Sequence, residues 1–217
     1  EIVDVKLTDK EFNKLKIKLG VGDVIIEQGE NFSVSFKGKK HYLPLLQLSD
    51  GKLQLKQKIS LLETGEAELK IVIPQEVTLD SLDIQTNSGN IEIVDTKAEK
   101  AYLKSTEGRV GVRRVAIAES LLESTDGNVT VRNSDLADGK LATYDGEIKV
   151  SGSTLSRVVL NVTDGDMNLT DVTIDEGSAN LKAGNFTLDH AVFKSDYEIK
   201  NIEGNNTVWR ANLKYAR

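Results

Sequence analysis

Six glycines, Gly89, Gly108, Gly127, Gly146, Gly165 and Gly184, follow one another at intervals of 19 residues, and Gly204 comes one residue late. A short fixed period forces a chain into stacked, equivalent units. No single unit is large enough to bury its own apolar side chains, so each must lean on its neighbours.

The columns around the glycines show what kind of unit this is. Five residues before each glycine stand Ile84, Leu103, Leu122, Leu141, Leu160, Ala179 and Ile199. Two residues after come Ile91, Val110, Val129, Ile148, Met167 and Phe186. Four after come Ile93, Val112, Val131, Val150, Leu169, Leu188 and Val208. Nine after come Ala98, Ile117, Leu136, Leu155, Ile174, Phe193 and Leu213. Apolar and polar residues alternate and β-branched residues are frequent, which is strand periodicity. No unit holds a helical pattern long enough for a βαβ crossover.

These observations predict an all-β chain folded as a parallel β-solenoid, a β-helix with 19-residue rungs over residues 76–217. Right-handed coiling is the favoured hand. Like columns then stack about 4.8 Å apart. Turn-forming tripeptides such as Thr125-Asp126-Gly127 and Thr163-Asp164-Gly165 precede the second strand, with glycine expected to supply a positive φ. Three residues before the glycines runs a hydroxyl column, Thr86, Ser105, Ser124 and Thr143, which becomes Val162 and Leu181. Its phase matches the buried columns, so it should point inward and bond along the stack or to turn backbone.

Residues 1–75 lack the period. They read as alternating strands: 15–19, 24–26, 32–36, 53–55 and 69–73, with Pro44 in a loop and Pro74 at the end. An open parallel edge invites further pairing, so this segment is expected to be a mainly antiparallel β cap. Trp209 and Tyr215 are expected to close the other end.

Composition narrows the function classes. The chain has no cysteine, which removes disulfides and thiolate chemistry, and its formal net charge of −6 offers no broad basic surface for nucleic acid. No apolar run approaches the ~18 residues of a membrane span. The chain begins at Glu1 rather than Met, which leaves room for an upstream membrane anchor.

The order of an irregular β segment, then Ile71-Val72-Ile73-Pro74, then 82–93 (LDIQTNSGNIEI), then repeated Ser/Thr-x-Asp-Gly turns resembles the DUF4097 family of candidate bacterial adhesins over residues 15–213. The resemblance implies an exported protein held at the bacterial cell surface, in some members with an N-terminal anchor or a link to envelope stress. It carries over no catalytic residue.

Two groups of residues are candidate sites. Glu107, Asp126, Asp145, Asp164 and Glu203 precede glycines, while Glu147 and Asp166 follow them. Stacked in register, Asp126, Asp145, Glu147, Asp164 and Asp166 would make a carboxylate strip able to take Ca²⁺, or to act as acid and base on a glycan. Asp before Gly is equally ordinary turn chemistry, and no Gly-Gly-x-Gly-x-Asp calcium repeat occurs. The second group is Tyr102, Leu121 and Val159, interrupted by Lys140, six residues before successive glycines and on the outward phase. They predict a shallow patch for a partner or glycan, or else a surface covered by the cap. His41 and His190 stand in unrelated regions, and His190 reads as a solvated turn residue.

The sequence therefore points to a non-enzymatic envelope scaffold whose partner is an envelope or host surface protein or glycan, without cofactor unless Ca²⁺ fills the strip. A carbohydrate-active enzyme or Ca²⁺-dependent glycan binder, and an envelope-stress sensor or regulatory domain, are the alternatives. Catalysis would need acid, base and Lys or Arg converging in a groove. Arg113, Arg114 and Arg132 lie near carboxylates in the sequence but are not placed on one face by it.

Overall fold

The computed structural model describes residues 1–58, 65–212 and 216–217. In chain order the strands are β1 (Ile2–Thr8), β2 (Lys14–Val21), β3 (Asp23–Gly29), β4 (Ser33–Lys39), β5 (Leu45–Ser49), β6 (Lys52–Lys56) and β7 (Ala67–Pro74). The repeats follow as β8 (Thr78–Ser88), β9 (Ile91–Val94), β10 (Lys97–Glu107), β11 (Val110–Arg113), β12 (Ala116–Asp126), β13 (Val129–Arg132) and β14 (Asp135–Asp145). Then come β15 (Ile148–Asp164), β16 (Met167–Ala183), β17 (Phe186–Phe193), β18 (Glu198–Glu203) and β19 (Asn206–Ala211). A short 3-10 turn, Lys40–Tyr42, links β4 to β5.

The repeats coil as their period requires. On the long-strand wall β8, β10, β12 and β14 pair in parallel, each residue opposite the one 19 positions on. The short-strand wall stacks β9, β11, β13 and the start of β15 in the same way. Ile84, Leu103, Leu122, Leu141 and Leu160 are fully buried in one column, and Ile91, Val110, Val129, Ile148 and Met167 in another. Each buried column adds apolar area at about 25 cal/mol per Å² removed from water, which is what holds the coil closed.

The N-terminal segment caps this stack and also joins it. Antiparallel pairing, expected to dominate here, is found in β1–β4, β4–β7 and β5–β6, with β1 and β5 lying outside the strands predicted from the sequence. Besides these, β2 pairs in parallel with both β6 and β8, and β3 with both β7 and β9. Residues 14–29 thus form a rung placed directly on the first repeat, although they lie before the change of pattern at residue 75. Gln57 plugs the junction: its Oε1 accepts from Gly20 N and Val21 N, and its Nε2 donates to Val21 O and Tyr42 O.

The C-terminal end differs from expectation. Trp209 is 60% exposed and Val208, in the inward column, is 41% exposed, because no rung among the described residues stacks beyond theirs. Tyr197, by contrast, is buried at this end, its ring 5.2 Å from that of Phe193. Leu213 and Tyr215 lie outside the described residues.

The hydroxyl column points inward as its phase predicted. Thr86 Oγ1 donates to Gly22 O at 2.9 Å, Ser105 Oγ to Gly89 O at 2.6 Å and Thr143 Oγ1 to Gly127 O at 2.7 Å. The expected positive φ is found at Gly89, Gly108, Gly165, Gly184 and Gly204, but it does not account for the whole column. Gly127 and Gly146 have no positive φ. What excludes a side chain is contact between rungs: a Cβ on Gly127 would lie 2.1 Å from Gly108 O.

Candidate functional site

The acidic strip is present as a ladder. Glu107 stands opposite Asp126, Asp126 opposite Asp145, and Asp145 opposite Asp164, all exposed at the turn. Next along it are Ala183 and Glu203. Glu147 and Asp166 belong to a separate row beyond the glycines and are already engaged. Asp166 Oδ1 accepts from Asn185 N at 2.9 Å, and the Glu147 carboxylate accepts from Asn168 Nδ2. In the same row Asn90 and Asn128 receive the backbone N–H of Arg109 and Glu147, each at 2.9 Å. These side chains tie successive turns together. Among the described residues no three His, Cys, Asp or Glu side chains converge closely enough to hold a metal ion.

The second predicted group makes a surface feature. Register places Lys16, Asp83, Tyr102, Leu121, Lys140 and Val159 in one outward row across β2, β8, β10, β12, β14 and β15. Cap strand β2 continues the row rather than covering it. Tyr102 and Leu121, both half-buried, meet in a shallow groove of about 440 Å³ whose lining includes Asp83, Gly139 and Lys140. Val159 stands one rung past Lys140 and does not line it. Gly139 keeps this floor low, since a Cβ there would lie 1.5 Å from Ser120 O.

Charge frames the apolar pair. Lys140 Nζ lies 3.1 Å from Glu123 and Lys100 Nζ 3.7 Å from Glu119. Burial pushes the Tyr102 phenol above its ordinary value, and the carboxylates of Glu123 and Asp83 add to this. Tyr102 is therefore a neutral hydrogen-bond donor throughout the physiological range. An apolar surface rimmed by ion pairs is the usual make-up of a protein-docking patch.

Sequence reasoning missed an adjoining trough of about 360 Å³ on the same strands, floored by Ala116, Ala118 and Ala137. The signal was available: Ala116 and Ala118 stand where Lys97 and Glu99 stand one rung earlier, and Ala137 follows Ala118 on the next rung. His190 does have positive φ, +58°, and its Nδ1 lies 2.5 Å from Asp171, one rung back.

Fold and surface define a parallel β-solenoid with a mixed N-terminal cap, a class that displays ladders of residues around a dry interior. Within that class the chain belongs to the Toastrack DUF4097 family, whose sequence model matches residues 12–216. Similar solved structures include a candidate adhesin of Bacteroides fragilis, 17% identical with a TM-score of 0.58 over 96% of each chain. A candidate adhesin of Parabacteroides distasonis is 13% identical, with a TM-score of 0.47 over 96% of each chain. A candidate cell adhesion protein of Clostridium sporogenes is 12% identical, with a TM-score of 0.44 over 98% of each chain. No curated protein matches the sequence. At such identities the likeness is one of fold. Among the described residues no helix is long and apolar enough to cross a membrane.

Proposed function

We propose that the protein is a non-enzymatic interaction scaffold at the bacterial cell surface, which docks an envelope or host surface protein through the Tyr102–Leu121 groove. The observation that carries this reading is the register of Tyr102 against Leu121 on an outward wall. Inward residues in this fold are explained by the core, whereas two large apolar side chains side by side on the outside are not. They lower solubility without closing the coil, which is the usual sign of a surface kept for a partner. The B. fragilis protein of the same fold, described as a candidate adhesin, supports a surface role.

The test compares wild-type protein with a Tyr102→Ala, Leu121→Ala double variant for binding to bacterial envelope fractions, extracellular-matrix proteins and host cells. Binding lost in the variant, with its melting temperature nearly unchanged, is the expected result. Wild-type protein that captured none of these, or a variant that bound as well as wild type, would end the proposal.

A further inference from the structure

The short-strand wall carries a cluster that the groove does not use. β11 and β13 lie in parallel register with Arg113 opposite Arg132 and Gly111 opposite Thr130. The Gly111 row continues to Glu92 on one side and, past Thr130, to Lys149 on the other. Side chains two apart on a strand share a face, so Arg113 and Arg132 project on the same side as this row. At Gly111 the row is interrupted by a notch of about 280 Å³, lined by Arg109, Arg113, Arg132 and Thr130, with Glu92 as its acidic wall.

Neither the glycine nor the arginines are required by the fold. Gly111 has no positive φ, and a Cβ there would meet nothing nearer than the Glu92 carboxylate at 3.7 Å. That is ordinary contact, unlike the crowding at the turn glycines. A glycine inside a strand costs backbone entropy and commonly marks the close approach of a ligand. Like charges opposite one another on neighbouring strands are also destabilising. Arg114 escapes that cost by pairing with Asp95 at 2.6 and 3.0 Å. Among the described residues Arg113 and Arg132 have no carboxylate at ion-pair distance, and Arg109 Nε reaches Glu92 only at 3.9 Å. Three guanidinium groups thus face one carboxylate on a chain of net charge −6.

We propose that this notch binds the carboxylate or sulfate groups of an acidic polysaccharide. The planar guanidinium fork matches such oxyanions in two-pronged fashion. Arg113 and Arg132 set two positive charges on adjacent rungs, and Lys149 follows on the next rung in the Gly111 row, which gives a short axial track for a polyanion. Thr130 in its lining offers a hydroxyl partner for sugar hydroxyls. The acidic remainder of the molecule disfavours the broad phosphate contacts that nucleic acid or an anionic membrane would demand. The notch lies on a different wall from the Tyr102 groove, and its ligand does not depend on that groove.

The test is calorimetric titration of the full chain with a sulfated heparin oligosaccharide and a carboxylated oligogalacturonate. Neutral dextran, anionic phosphatidylglycerol vesicles and single-stranded DNA are compared. One of the two acidic glycans should bind, more weakly as salt rises, and dextran should not. An Arg113→Ser, Arg132→Ser double variant should lose about tenfold or more in affinity, as expected when charge-assisted pairs are removed. Gly111→Val, which fills the notch in a strand-compatible way and keeps every arginine, should weaken binding as well. Arg157→Gln on another wall, and the Tyr102→Ala, Leu121→Ala variant, should bind as wild type does, which separates this site from the docking groove. No binding of either acidic glycan overturns the proposal. So does affinity unchanged in both notch variants, or a preference for vesicles or DNA.

Discussion

Ser124 Oγ donates to the carbonyl oxygen of Gly108, one rung earlier, at 2.6 Å. The two columns that mark the repeat, glycine and hydroxyl, are therefore two halves of one contact. The glycine must lack a Cβ so that rungs can approach, and the hydroxyl then satisfies the carbonyl that the approach buries. Removing the hydroxyl in Ser124→Ala should cost about 1–2 kcal/mol by leaving that carbonyl unpartnered. Ser124→Thr should cost less, since Thr143 fills the same role on the next rung. Urea unfolding midpoints of the two variants decide it.

Gly108→Ala should be far more damaging. A Cβ there would lie 2.0 Å from Gly89 O, on backbone that has no room to move between two hydrogen-bonded rungs, and φ is +149°. A loss of about 3 kcal/mol or more is expected from overpacking and strain combined. Gly111→Ala, with an open contact distance, should be neutral or stabilising. Equal losses at both sites would refute the distinction between them.

Tyr197 should gain from losing its hydroxyl. The group is buried without a hydrogen-bond partner among the described residues, and burial pushes its pKa up. Tyr197→Phe keeps the ring against Phe193 and removes the stranded polar atom, so stability should rise by about 1 kcal/mol. A fall in the thermal midpoint would show that the hydroxyl is satisfied in solution.

Acid should loosen the corners. The hydrogen bond from Arg114 holds the Asp95 carboxyl below the usual carboxylate range, helped by the charges of Arg114 and Arg113 against a desolvation cost. Asp138 is held low by the hydrogen bond from Arg157. The folded pKa values are depressed, so the unfolded chain binds more protons in the acid range. The contribution is complete above the ordinary Asp value of about 3.9 and is lost as pH falls below it. Both pairs are exposed, so the effect is small. Thermal melts of an Asp95→Asn, Asp138→Asn variant between about pH 7 and pH 3 should show a shallower decline than wild type. An identical decline would remove these pairs as its cause.

Calcium should leave the melting temperature unchanged. The ladder carboxylates Asp126, Asp145 and Asp164 are exposed and strung along the axis, and Asp166 is occupied by Asn185 N. An ion that bound only the folded state would have to stabilise it. A calcium-specific rise, lost in an Asp145→Asn, Asp164→Asn variant, would establish a metal site and reopen sugar chemistry.

One further rung is legible in the N-terminal segment. Leu15, Ile17, Leu19, Gly22, Val24 and Ile26 reproduce the spacing of Leu82, Ile84, Thr86, Gly89, Ile91 and Ile93. The irregular distance between the two sets hid the match. In the fold Gly22 heads the glycine column: Thr86 bonds its carbonyl, and a Cβ on Gly89 would lie 1.9 Å from it.

The period, the inward columns and the hydroxyl column were determined by the sequence alone, because burial imposes them on every rung through local spacing. The outward faces were decided only by tertiary structure. Register brings Tyr102 to Leu121 and Arg113 to Arg132 across 19 residues, while Arg114, next in the chain, turns to Asp95 instead. Whether an apolar residue is covered also depends on its rung. Leu188 is fully buried, but Val208, stacked on it in the last rung, is not. Local pattern records which way a side chain points; only stacking decides what it meets there.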